Sequence, residues 1–102
     1  MVERRMKMYQ ESMKYVVVVK MGLEVPILLP ACVSHDTIKG AVSAGFVDLV
    51  PLGSDVMLVN AYGESFSLGK KSRGEKDAEL ICRMLSYCTR GEVVYVSKVT
   101  GE

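Results

Sequence analysis

The period of apolar and polar positions changes several times along the chain, and each change marks an element. Lys14 to Met21 contains Tyr15 and then four valines, Val16 to Val19. β-branched and aromatic residues at this density predict a strand covered on both faces. Gly22 offers a turn, and Glu24-Val25-Pro26-Ile27-Leu28-Leu29 reads as the hairpin partner of that strand. Pro26 has no N–H to give, which places this second strand at an edge or on a bulge. A short helix is predicted over 34–43. Ser34 caps it, Asp36 sits in its positive first turn, and Ile38, Ala41 and Val42 form its apolar face. Gly40 weakens that helix and Gly45 closes it.

Phe46 to Val50 is a third strand, and Pro51 to Asp55 carries turn residues. Val56 to Tyr62 is a fourth strand, antiparallel to the third. Gly63 marks a bulge or bend. The alternation Ser65-Phe66-Ser67-Leu68 lets strand structure run on to Leu68.

A loop over 69–74 leads into a helix over 75–88. Its apolar positions are Ala78, Leu80, Ile81, Cys82, Met84, Leu85, Tyr87 and Cys88. They span about 220° of the circumference, far more than a single-face stripe of roughly 100°. Such a helix calls for two partners: the sheet, and either another helix or a second subunit. The last strand covers 93–99.

At the other end, Val2, Met6, Tyr9 and Met13 share one helical stripe. Residues 1–13 therefore form an N-terminal helix or a flexible leader. Residues 14–102 form a single α+β domain. The order is (α)ββαββαβ around a mainly antiparallel sheet.

Composition narrows the function classes. With 102 residues the chain is too short for a TIM barrel, a two-domain enzyme or a complete dinucleotide-binding fold. Lys plus Arg is 13 and Asp plus Glu is 12, a net charge of +1, which excludes a globally basic nucleic-acid binder. A hydrophobic content of 49% excludes disorder of the whole chain. It also leaves apolar surface outside one small core, which favours self-association as a homodimer.

Cys32, Cys82 and Cys88 are an odd, unpaired set and read as free, mostly buried thiols in a reducing compartment. No membrane span or signal peptide is visible, so a cytoplasmic location is expected.

The most suggestive local feature is the basic segment at 70–76, with Lys70, Lys71, Arg73 and Lys76 against the single acid Glu75. Cations just before a helix start attract phosphate or carboxylate. The segment is not a phosphate-loop motif. Gly63 and Gly69 are separated by five residues where the motif has four, and Lys71 intervenes before Ser72. A solvated charge run is the plain alternative.

Cys32 and His35 suggest a metal or thiol–imidazole pair, with Cys82 and Cys88 as further ligands. The two helical cysteines point about 240° apart, so no metal site is assigned. Cys32 then reads as a small buried hydrophobe and His35 as an exposed first-turn residue. Asp48 and Glu64 read as solvent-facing strand carboxylates. Ser65 and Ser67 lack the Gly-x-Ser-x-Gly elbow of a hydrolase. No cofactor is implied, and the chain offers few convergent groups for an enzyme, which would need a site assembled across a dimer interface. The expectation is a non-enzymatic protein-interaction module that forms a homo-oligomer and can take a protein partner. The alternative is a binder of nucleic acid or a phosphate-bearing anion through Lys70, Lys71, Arg73 and Lys76.

Overall fold

The computed structural model describes residues 12–97. Its principal sheet has five strands: β1 (Met13–Lys20), β2 (Leu23–Leu29), β3 (Ala41–Pro51), β4 (Val56–Tyr62) and, late in the chain, β7 (Val94–Val96). A two-stranded ribbon, β5 (Glu64–Ser65) with β6 (Lys70–Lys71), leads into the helix α1 (Glu75–Cys88). The strand order is β2-β1-β3-β4-β7. All neighbours are antiparallel except β4 and β7, which are parallel. A parallel neighbour needs a crossover, and α1 lies in the segment that supplies it.

Strand period two divides the valine run between two cores. Tyr15 and Val17 face α1 and pack with Val47, Val59, Ala61, Ala78, Ile81 and Cys82. Val16 and Val18 face the other way, with Leu29 and Ala44. There Val33 and Ile38 from the β2–β3 connection and Leu68 from the β5–β6 turn cover them. The inner strand β1 is thus buried on both faces, as its composition requires.

The β1–β2 turn is a two-residue loop, with Lys20 opposite Leu23. That closing pair is hydrogen-bonded, and pairs alternate from it. Pro26, opposite Val17, therefore falls on a non-hydrogen-bonded pair. Its missing N–H faces the outer edge, where it removes a donor from an otherwise open strand.

Three expectations are corrected. The helix over 34–43 is a single 3₁₀ turn at His35–Thr37, held by Ser34 accepting from the Asp36 N–H. Gly40 then takes φ +79°, and the chain is extended from Ala41 onward. The run Ala41-Val42-Ser43-Ala44-Gly45 resembles a weak helix because its residues are small. Ala41 and Ala44 pack on the face away from α1, whereas Ser43 and Gly45 are small where β3 is crossed closely on the α1 side. A Cβ at Gly45 would lie 2.5 Å from the Tyr62 carbonyl oxygen and 3.0 Å from Ser72 Cβ. The strand expected to continue to Leu68 instead breaks at Gly63, which adopts φ +81°. The chain then doubles back, pairing Lys70 with Ser65 and Lys71 with Glu64. Finally, Met13 belongs to β1 rather than to an N-terminal helix. The rest of that predicted helix, residues 1–11, and the end of the predicted last strand, 98–99, lie outside the described residues, which show that strand over Val94–Val96.

The close approach at Gly45 gives a direct test. Gly45→Ala is expected to lower stability by about 1–3 kcal/mol through overpacking. Gly53→Ala, where an added Cβ meets nothing within 4 Å, should change it by less than about 0.5 kcal/mol. Urea unfolding of both variants beside the parent chain measures the difference.

Candidate functional site

The basic segment does not form one patch. Lys70 and Lys71 are exposed on β6, and Lys76 is exposed on the first turn of α1. Arg73 is drawn inward. Its Nε donates to Asp77 Oδ1 at 2.7 Å, and its two terminal nitrogens fork onto Glu24 at 3.1 and 3.0 Å. An anion approaching Arg73 has to displace Glu24 from a bidentate pair.

Asp77, fully buried in the first turn of α1, is the centre of this arrangement. Its Oδ2 accepts from the Arg73 backbone N–H at 2.9 Å and lies 2.6 Å from the Tyr15 hydroxyl. This is the backward reach of a capping box, here to the residue before the cap. Gly74, the cap residue, makes no side-chain capping bond. The Gly74 N–H instead donates to Ser72 Oγ at 2.9 Å. Ser72 Oγ is also 2.7 Å from the Tyr15 hydroxyl. A phenol has one proton and an ionised carboxylate only accepts. Tyr15 therefore donates to Asp77, and Ser72 donates to Tyr15.

Burial alone would raise the Asp77 pKa, but the Tyr15 hydroxyl and the two Arg73 donors outweigh it and hold the carboxyl below its ordinary value. Hydrogen bonding from Arg73 lowers Glu24 as well. Burial, and then the bond to Asp77, push Tyr15 well above the usual phenol range. Ser43 Oγ is buried on β3 beside the same carboxylate without a partner in hydrogen-bonding geometry. The carboxylate is saturated with donors and closed to solvent. Its chemistry is that of a clamp between helix and sheet.

On the opposite face, Ser12 Oγ, Tyr62 Oη and Asp48 Oδ1 form a triangle with sides of 2.6, 2.6 and 3.1 Å. The Tyr62 ring stacks on Phe46 with centroids 6.0 Å apart. His35 meets Phe46 edge-on at 5.5 Å and hydrogen-bonds the Gly45 carbonyl through Nε2 at 2.8 Å. Asp48 is thus engaged rather than simply solvated. The sequence signal for this group was the alternation Phe46, Asp48 and Tyr62; the expected helix over 34–43 hid only the part of His35 in it.

The roles of Cys32 and His35 are the reverse of those expected: Cys32 is exposed and His35 buried. The Ser34-capped turn folds the imidazole under the sheet, where its N–H finds a carbonyl. Of the three free thiols only Cys82 is buried. Burial, and secondarily Glu79, raise its pKa to about 11. Among the described residues no group of three or more His, Cys, Asp and Glu side chains could hold a metal ion.

Besides the three exposed lysines of the basic segment, apolar surface is open to solvent. The tip of the β1–β2 hairpin carries Met21, 100% exposed, with Leu23 at 68% and Val19 at 47%. Met21 has φ 53° and Gly22 φ 80°, the two positive values of a type I′ turn. Tyr87 on α1 is 88% exposed, so the wide apolar face of this helix is only partly covered by the described residues. No helix among them is long and apolar enough to cross a membrane. The chain matches no known family, and neither a curated protein nor a solved structure is significantly similar to it.

The titrations fix two pH limbs. Asp77 and Glu24 have lowered pKa values in the folded chain, so their contribution is complete above about pH 4.5, the ordinary glutamate value. It is lost as the pH falls towards the lowered folded values. Stability should be level near neutrality and fall in acid, and Asp77→Asn should flatten that fall while lowering stability at pH 7. Cys82 is raised, so its contribution is complete below pH 9.0 and is lost up to about 11. Cys82→Ala should flatten the start of the alkaline limb. Urea midpoints measured from pH 3 to 11 test both.

Proposed function

We propose that this protein is a non-enzymatic interaction module that self-associates as a homodimer through the tip of the β1–β2 hairpin. The observation that carries the reading is Met21. A type I′ turn favours Asn or Gly at this position, because a side chain there meets its own backbone at about 1–2 kcal/mol. Met21 accepts that strain and buries nothing in return, being 100% exposed. A flexible thioether beside Leu23 and Val19 suits an adaptable apolar contact. A net charge of +1 leaves little repulsion between two copies.

A second reading is supported by the exposure of Lys70, Lys71 and Lys76, which leaves them accessible to an anion or nucleic acid. Arg73 contributes less to that reading because Glu24 and Asp77 occupy its guanidinium.

Met21→Asn separates association from folding. The variant is expected to be more stable by about 1 kcal/mol, since Asn tolerates the left-handed conformation. It should also run as a monomer at concentrations where the parent chain is a dimer. Light scattering after size-exclusion chromatography, over a range of loading concentrations, reads the mass. A parent chain that is monomeric throughout, or a variant that dimerises equally well, overturns the proposal.

A further inference from the structure

We propose that the C-terminal end of α1 binds single-stranded nucleic acid, with a base stacked on Tyr87 and flanking phosphates paired with Arg83 and Arg90. The inference is independent of the hairpin tip.

The backbone provides the first argument. The helix ends in a Schellman motif: the Gly91 N–H donates to the Ser86 carbonyl at 3.0 Å, and the Arg90 N–H to the Tyr87 carbonyl at 3.2 Å. The residue that takes the left-handed conformation in this motif is usually Gly. Here it is Arg90, at φ 56°, although Gly91 stands next to it. A cation at a helix C-terminus gains from the dipole, but it gains as much from the preceding turn without the backbone strain. The strained position leaves Arg90 lining the same surface depression as Tyr87.

The second argument is the arrangement of side chains. Arg83, Ser86, Tyr87 and Arg90 line one open depression on the surface. At 100° per residue the helical positions 83, 86 and 87 fall within about 100° of arc, and Arg90 follows them in the closing turn. Tyr87 is 88% exposed, so its ring offers a face to a flat ligand. Arg83 stands one turn before Tyr87, roughly 6 Å along the axis, and Arg90 lies in the Schellman turn that follows it. Two cations bracketing an aromatic face match a stacked base with a phosphate on either side, the usual means of holding single strands without sequence preference. No carboxylate is among the described residues lining the depression. Glu79, the nearest acid along the helix, is one turn before Arg83, on the side away from Tyr87.

The same geometry disfavours other anions. The C-terminus is the negative end of the helix dipole, which repels a lone phosphate seated on the axis. One tyrosine with two arginines offers too little apolar area to anchor in a lipid surface.

The test is fluorescence anisotropy of labelled oligo(dT) and oligo(rU), each about a dozen nucleotides long, within the length range that single-strand binding sites cover. Duplex DNA of equal length serves as a third probe. Binding of either single strand should weaken with salt at a log–log slope near −1.4, about 0.7 for each of two phosphates. Tyr87→Ala should weaken it by roughly tenfold or more. Arg90→Gly should weaken it while raising the melting temperature, so a loss there cannot come from unfolding. Met21→Asn should leave it unchanged. A response to only one of the two strands fixes the sugar that is preferred and supports the site. The proposal is overturned by absent binding, by tighter binding to duplex, or by binding that survives both Tyr87→Ala and Arg90→Gly. Competition from millimolar inorganic phosphate at matched ionic strength also overturns it.

Discussion

A carboxylate closed to water has to be surrounded by donors, and Asp77 organises the molecule by meeting that demand. The residues that satisfy it come from different elements: Tyr15 from β1, and the backbone and guanidinium of Arg73 from the segment before α1. Arg73 extends the chain of contacts to Glu24 on β2. One buried charge thus fixes where the helix starts, how it sits against the two strands at one side of the sheet, and where the β5–β6 ribbon rejoins the body. Removing such a partner from a buried, hydrogen-bonded charge cluster typically costs about 3–5 kcal/mol, comparable with truncating a large buried apolar side chain.

The clamp also explains a composition that looks unfavourable for a strand. Ser43 and Gly45 lie in β3 where the clamp presses on the sheet. Ser43 is buried beside the carboxylate, and Gly45 leaves room for the Tyr62 carbonyl, Ser72 and the Tyr15 ring. A valine at either place would raise strand propensity and block the helix from docking. Local propensity gives way here to tertiary packing, which is the usual reason for a misread element.

That conflict separates what was legible in the residues from what was not. The valine run, the Pro26 edge and the amphipathic pattern of 75–88 each carry their own signal, because burial on a face repeats with the period of the element. The stretch 41–45 does not, since its residues answer to groups about 20 to 35 positions away in sequence. Arg73 illustrates the same limit within the candidate site. By spacing it belongs with Lys70, Lys71 and Lys76, and nothing local separates it from them. Only the fold brings Glu24 and Asp77 to it. Cys32 and His35 exchange their expected environments for a similar reason: a 3₁₀ turn of three residues, rather than a helix, sets the direction of the imidazole.

Backbone conformation adds what side-chain patterns leave out. Six glycines among the described residues take positive φ, and only two other residues do, Met21 and Arg90. Where a chain needs a left-handed residue for its fold alone, glycine supplies it with least strain. Both exceptions are adjacent to a glycine, Gly22 and Gly91, and both project from an exposed turn. Neither side chain packs into a core, so packing does not account for either choice. In an interior, strain of this kind is offset by contacts on the same side chain. At these two turns the only internal gain is that of the Arg90 charge from the helix dipole, and the two proposed interfaces place the remaining compensation in contacts with another molecule. One side chain is apolar and the other cationic, so the two surfaces call for partners of different chemistry.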